Sequence, residues 1–194
     1  MNTILNTLTS EQFEHLTSLH LGKGEVLFHE NDRCGHIGIL LHGEISIVSY
    51  LSNGKEIIYN TLKDGDLFGN NLIFSSDPRY KGDILALKDT DLYLIERNVL
   101  IDLLQENSSF LLEYLRIQSN LGKSLNNRIR LLSIDSAEER LLFYLHENQD
   151  TIRFTSVSSL ARDLFLERET LSRLLSRLQK EKKILRQGKV LKLL

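Results

Sequence analysis

The sequence has one proline, one methionine, one cysteine and no tryptophan in 194 residues. The single thiol, Cys34, excludes an intramolecular disulfide and any iron–sulfur cluster held by several cysteines of one chain. No apolar run reaches the roughly 18–20 residues that a membrane-spanning helix needs. Residues 1–14 lack a basic stretch followed by an apolar one, so no secretory signal is read there. A cytoplasmic protein with no membrane partner is expected. Catalytic motifs are missing too. No nucleophile has a motif around it, no Gly-rich loop leads to Lys-Ser/Thr, and no metal-type His pair occurs. Nothing argues for an enzyme.

What remains is ordinary for a globular chain, with 41% apolar and 26% charged residues. The net charge of −2 conceals an asymmetry. From Thr151 onward lie 11 of the 24 basic and 4 of the 26 acidic residues, a net +7; the preceding part keeps 13 and 22, a net −9. A basic tail on an acidic body points to a polyanion partner for the tail, although a solvated charged face fits the charge alone equally well.

Short apolar runs at residues 25–28, 37–41, 45–51, 56–62 and 91–95 read as strands. Turn signals separate them, including His42-Gly43, Asn53-Gly54 and Asp64-Gly65-Asp66. Asn53-Gly54 is read as a type I′ hairpin turn. Many short strands of this kind suggest a sandwich or a rolled barrel. From residue 108 the period becomes helical. Leu111, Leu115, Gln118, Gly122, Leu125, Ile129 and Leu132 follow alternating steps of four and three, a heptad seam that fits a second copy of the chain. Packing of the helix on its own domain is the other reading, and would explain Leu112 and Tyr114. Gln118 and Gly122 interrupt the seam where something other than a partner helix is expected to pack. Residues 133–136 read as a hinge.

His29, His36 and His42 lie near Cys34 in sequence, but a strand-like run separates His36 from His42 and no ligand spacing is present. They are read as turn-exposed or half-buried, and neither haem nor metal is expected. Cys34 stands between Arg33 and Gly35 in an expected loop, where the neighbouring cation favours thiolate. An incidental cysteine and a redox-sensing thiol both fit.

Residues 156–183 are the most informative. Ser156-x-x-Ser159 caps a first helix whose inner face is Val157, Leu160, Ala161 and Leu164. After a break at 165–167, a second helix begins near Arg168 and buries Leu171, Leu174, Leu175 and Leu178. Arg168, Glu169, Ser172 and Arg173 share another face of it. Arginine grips guanine with two hydrogen bonds and glutamate accepts from cytosine, so these four are read as base contacts in a major groove. Ser156, Arg177, Lys180 and Lys189 are read as backbone contacts. Residues 184–193 form a small hairpin turning at Gln187-Gly188, a wing.

On Arg168-Glu169-Thr170-Leu171-Ser172-Arg173, together with Leu27-Phe28-His29-Glu30, His42-Gly43-Glu44, Asn53-Gly54-Lys55-Glu56 and Gly65-Asp66-Leu67-Phe68-Gly69, the chain resembles the Crp/Fnr family of regulators over nearly its whole length. The resemblance implies an α+β fold in three parts. Residues 1–107 would form a double-stranded β-helix (a jelly-roll-like β-roll) that senses, 108–134 a dimerisation helix with its hinge, and 135–194 a winged helix-turn-helix. It implies a homodimer on palindromic double-stranded DNA, controlled by an input at the β-roll and, for an activator, touching RNA polymerase.

Nucleotide-binding members of that family carry a Glu for the ribose and an Arg for the cyclic phosphate. The corresponding residues here are Gly69, Asn70 and Asn71, then Arg79, Tyr80 and Lys81, with Leu125 and Asn126 on the dimer helix. This set marks the candidate effector pocket and argues against cyclic AMP in the usual mode; the effector is unknown. Phe165 replaces the glycine usual in the turn between the two DNA-reading helices, so a different turn conformation is expected. Glu167 replaces the usual Ser or Thr cap. A ligand-binding module whose helix-turn-helix docks protein, and a constitutive DNA binder, are the competing readings.

Overall fold

The computed structural model describes residues 4–194; the part of the N-terminal and domain readings that falls on residues 1–3 lies outside it. A turn of 3-10 helix (Leu5–Thr7) and α1 (Ser10–Glu14) lead into β1 (Thr17–Leu21), β2 (His36–His42), β3 (Glu44–Tyr50), β4 (Glu56–Lys63), β5 (Leu67–Phe68), β6 (Asp83–Ala86) and β7 (Thr90–Glu96). Then come α2 (Arg97–Glu106), α3 (Ser108–Ser133), α4 (Ala137–Glu147), β8 (Thr151–Arg153), α5 (Val157–Asp163), α6 (Arg168–Lys180), β9 (Ile184–Gln187) and β10 (Val190–Leu193). The chain divides into two compact units, the first ending at Asn120 and the second running from Leu121 to Leu194, so α3 contributes to both.

In the first unit two antiparallel sheets, ordered β1-β7-β2-β5 and β4-β3-β6, share one apolar core. Ile37 and Ile39 of β2, Ile45 of β3, Ile84 of β6, and Leu92 and Ile95 of β7 are all buried in it. Gly38 lies beneath Phe68, whose ring would stand 2.0 Å from any added Cβ, so this strand needs glycine there. On the α3 side, Phe110 and Tyr114 enter the same core.

Four local expectations change. Residues 25–28 form no regular strand, yet they lie antiparallel to β6 around a Val26–Leu85 bridge: Ala86 N–H donates to Glu25 O, Leu27 N–H to Ile84 O and Ile84 N–H to Phe28 O. β1 takes the sheet edge next to β7 instead. Its sequence, Thr-Ser-Leu-His-Leu, has too few apolar residues to declare a strand. The Asn53-Gly54 turn is not type I′, because Gly54 has φ +77 while Asn53 is not left-handed. Gly54 N–H donates to Leu51 O and Leu51 N–H to Lys55 O, a three-residue loop with glycine in its left-handed place. The wing turns one residue later than expected, with Gly188 and Lys189 between the paired Gln187 and Val190.

The second unit packs α4, α5, α6 and the sheet β8-β10-β9 around Leu141, Leu145, Leu160, Leu164, Leu171, Leu175, Leu178, Ile184 and Leu191, with Leu131 of α3 joining them. α3 stops at Ser133, and Ser136 caps α4 by accepting from Glu139 N–H.

Candidate nucleic-acid interface

α5 begins in a reciprocal cap. Ser159 N–H donates to Ser156 Oγ (3.0 Å) and Ser156 N–H to Ser159 Oγ (3.1 Å), satisfying two donors that would otherwise lack partners. Ser156, read as a backbone contact, uses one lone pair of its hydroxyl in the cap and keeps its O–H as a donor. α5 ends at Asp163 with Leu164 as its C-cap, and Phe165 follows with φ +53. Phe165 N–H donates to Arg162 O and Leu166 N–H to Ala161 O, the bond pair of a Schellman motif. The turn thus keeps the conformation that glycine favours, contrary to expectation, although left-handed backbone costs a side-chain-bearing residue about 1–2 kcal/mol. Surrounding contacts hold it. Arg140 Nη1 donates to Leu164 O (3.2 Å) and Phe165 O (2.9 Å), and Arg128 lies over the Phe165 ring at 5.8 Å.

α6 starts at Arg168 after Glu167, which makes no side-chain cap bond; its charge still suits the positive helix end. Leu171, Leu174, Leu175 and Leu178 are buried, while Arg168, Glu169, Ser172 and Arg173 are exposed. Helical geometry places the four exposed residues together on the first turn and a half, free to meet base edges. Lys180 at the end of α6 and Lys189 at the wing tip are exposed as well. Arg177 is engaged instead. Its Nη2 meets Glu138 Oε2 at 2.6 Å, and Lys183 Nζ reaches the other Glu138 oxygen at 2.8 Å. The Lys183 hydrogen bond holds the Glu138 carboxyl below its ordinary pKa, and Glu138 in turn raises that of Lys183. Glu138, 39 residues from Arg177, carries no local sequence signal.

In the first unit the proposed pocket residues have varied surroundings, with Gly69 and Tyr80 both against the His36 carbonyl. Gly69 is left-handed (φ +77), and a Cβ there would stand 2.5 Å from His36 O. Asn70 is buried and committed: its Nδ2 donates to Gln118 Oε1 (3.3 Å), while its own carbonyl accepts from Gln118 Nε2 (2.6 Å) and Tyr114 Oη (3.0 Å). Gln118 leaves the heptad seam because it is bonded to the β-roll. Asn71 is exposed. Arg79 is also exposed and pairs with Asp77 (3.0 Å) and Asn31 O (2.9 Å). Tyr80 fills the core, stacked on Phe28 with ring centroids 4.7 Å apart, and burial drives its phenol far above its usual range. Lys81 is exposed, as are Leu125 and Asn126 on the part of α3 in the second unit.

Cys34 is not in an accessible loop. It is 1% exposed, its thiol aimed at the His36 and Gly69 carbonyls, and burial raises its pKa. Desolvation outweighs the hydrogen bonds with Tyr80 and the His36 backbone, so thiolate is disfavoured. His29 and His42 are exposed beside Asp83 and Asp64, whereas His36 stacks on Phe28 at 5.9 Å. Among the described residues no three His, Cys, Asp or Glu side chains are placed to hold a metal ion, and no helix is long and apolar enough to cross a membrane.

Along α3, Leu111 is half-buried, Gly122 is exposed, and Leu115, Leu125, Ile129 and Leu132 are 50, 48, 63 and 57% exposed. Leucine and isoleucine left open at this spacing form an unpartnered stripe in the single chain.

Residues 18–107 match the model of the cyclic nucleotide-binding domain. The chain is 31% identical over 180 residues to the regulatory protein HlyX of Actinobacillus pleuropneumoniae, covering 86% of this chain and 73% of that one. It is 24% identical to the anaerobic regulatory protein of Bacillus subtilis, over 90% of this chain and 79% of that one. Among solved structures, a CooA variant from Carboxydothermus hydrogenoformans superposes with TM-score 0.72 at 20% identity, over 100% of this chain and 91% of that one. FixK2 from Bradyrhizobium japonicum does so with TM-score 0.60 at 21% identity, over 92% of each. With its β-roll, its long helix carrying an open apolar stripe and its winged helix-turn-helix, the chain belongs to the Crp/Fnr family of transcriptional regulators.

Proposed function

We propose that this DNA-binding transcriptional regulator acts as a homodimer on a two-fold symmetric site, reading bases with Arg168, Glu169, Ser172 and Arg173 of α6. The observation that carries the reading is the face of α6 itself. Four hydrogen-bonding side chains stand exposed at the start of a helix whose opposite face is anchored by four buried leucines. Lys180 and Lys189 supply phosphate contacts, with Arg177 restrained by Glu138. The open stripe of α3 joins the two copies, and two-fold symmetry sets half-sites about one helical turn, roughly 34–36 Å, apart. Such a protein works where bacterial DNA is, in the cytoplasm, and catalyses nothing.

Cyclic AMP in the family's usual mode is not its input. The ribose carboxylate is replaced by Asn70, a neutral amide whose Nδ2 donates to Gln118, and Arg79 pairs with Asp77. Four-cysteine cluster chemistry does not fit a single thiol per chain, and haem is not part of the proposal. An effector of other chemistry, or none, and a contact to RNA polymerase remain part of the proposal. Selection of bound sequences from a random duplex library, with sedimentation of the complex, tests the reading. A symmetric consensus carrying two chains per duplex supports it; enrichment without symmetry, or one chain per duplex, refutes the dimeric form.

A further inference from the structure

Phe165 holds a left-handed backbone conformation at the entry to α6. Strain of this kind persists only where surrounding contacts over-determine it. Two arginines from elsewhere in the second unit provide those contacts. Arg140 of α4 ties the turn to the stretch after α3, since its Nη1 holds Leu164 O and Phe165 O while its Nε donates to Ile134 O at 3.0 Å. Arg128 of α3 places its guanidinium 5.8 Å from the Phe165 ring centroid, within cation–π range. Arg128 stands beside Ile129, between Leu125 one turn earlier and Leu132 one turn later, the exposed residues assigned to the partner helix. One turn of α3 therefore carries both the dimer stripe and the grip on the α5–α6 turn.

We propose that Phe165 is a positioning residue for DNA readout: its ring, held by Arg128, fixes the entry of the recognition helix relative to the dimer helix. A glycine here would adopt the same backbone with less strain but would leave Arg128 nothing to stack on. The bulky residue is retained for its ring, not its backbone. This inference rests on the DNA reading above and adds what holds the reading helix in place.

The test uses the full chain and the variants Phe165→Tyr, Phe165→Leu, Phe165→Gly, Arg128→Ala and the Phe165→Leu/Arg128→Ala double variant. Affinity is measured for the selected duplex and for a random duplex, alongside the thermal midpoint. Phe165→Tyr keeps the ring and binds as the wild type does. Phe165→Leu and Arg128→Ala each weaken the selected duplex about 3- to 10-fold, the range of one partly exposed cation–π contact, and leave the random duplex unchanged. The double variant loses no more than either single one. Phe165→Gly loses the same selectivity while its midpoint holds or rises, which a purely structural role would not produce. Wild-type selectivity in Phe165→Leu, or losses that multiply in the double variant, overturn the proposal. If the wild type itself does not discriminate between duplexes, the DNA reading fails separately. The midpoints of the wild type, Phe165→Leu, Arg128→Ala and the double variant then decide the contact, coupled shifts supporting it and additive shifts overturning it.

Discussion

At the scale of single residues, charge on the basic unit is partly offset where α6 meets α4. Arg177 and Lys183 both spend hydrogen bonds on Glu138, so not every cation of the unit is available to phosphate. Replacing Glu138 with Gln releases the pair. Affinity for random duplex should rise, and the log–log salt slope should steepen by about one for each cation that gains a phosphate. An unchanged slope in a salt titration would show that Glu138 does not restrain these cations. The Glu138 carboxyl is held below its ordinary pKa, so the ion pairs contribute above the usual carboxylate range and are lost as pH falls through it. Cys34 has the opposite sign. Its thiol is raised by burial, so it favours the folded state below the usual thiol pKa of about 8.5, and that contribution fades as pH rises beyond it. Folded protein should resist a thiol reagent at neutral pH and react only on unfolding; fast labelling of the native chain would contradict the burial. The buried leucines of α6 and its exposed polar face were legible because helical period sorts them. The Glu138–Arg177 pair was not, because ion pairs between distant positions leave no local pattern.

Elements obey their caps and stripes. The Ser156–Ser159 box closes the start of α5 with two side-chain bonds. Ser156→Ala should cost about 1 kcal/mol in the stability of the second unit, measurable by denaturant unfolding. α3 has two tasks along one length. Tyr114 and Gln118 bond the Asn70 carbonyl, while Leu115, Leu125, Ile129 and Leu132 stay open. Ile129→Asp places a charge in that stripe and should shift the chain from dimer to monomer in sedimentation, with helical content unchanged; a dimer that persists would assign the stripe another use. The seam and its interruption could be read from spacing, since a polar residue in an apolar register needs a partner. The partner's identity, Asn70, lies 48 residues away and needed the fold. Strand errors have a similar origin. β1 is short and half polar, whereas residues 25–28 look apolar and bond antiparallel to β6 without forming a regular strand. The Phe165 turn was misjudged because strain was weighed alone, without Arg128 and Arg140 to offset it.

Charge is distributed unevenly along the chain, with −9 before Thr151 and +7 from Thr151 onward. Association with duplex should therefore weaken steeply with salt even though the net charge is only −2. Architecture at this scale was legible early, because the change from short glycine-punctuated runs to helical period marks where the roll ends and the helices begin. The most direct test of the account compares base preferences of the wild type and Arg173→Ala over one random duplex library. The account predicts a two-fold symmetric consensus for the wild type. In the variant, preference should fall at one base pair of each half-site by about 1–3 kcal/mol, with the rest of the consensus intact. An identical consensus for both proteins, or a uniform loss across all positions, would contradict base reading by this face of α6.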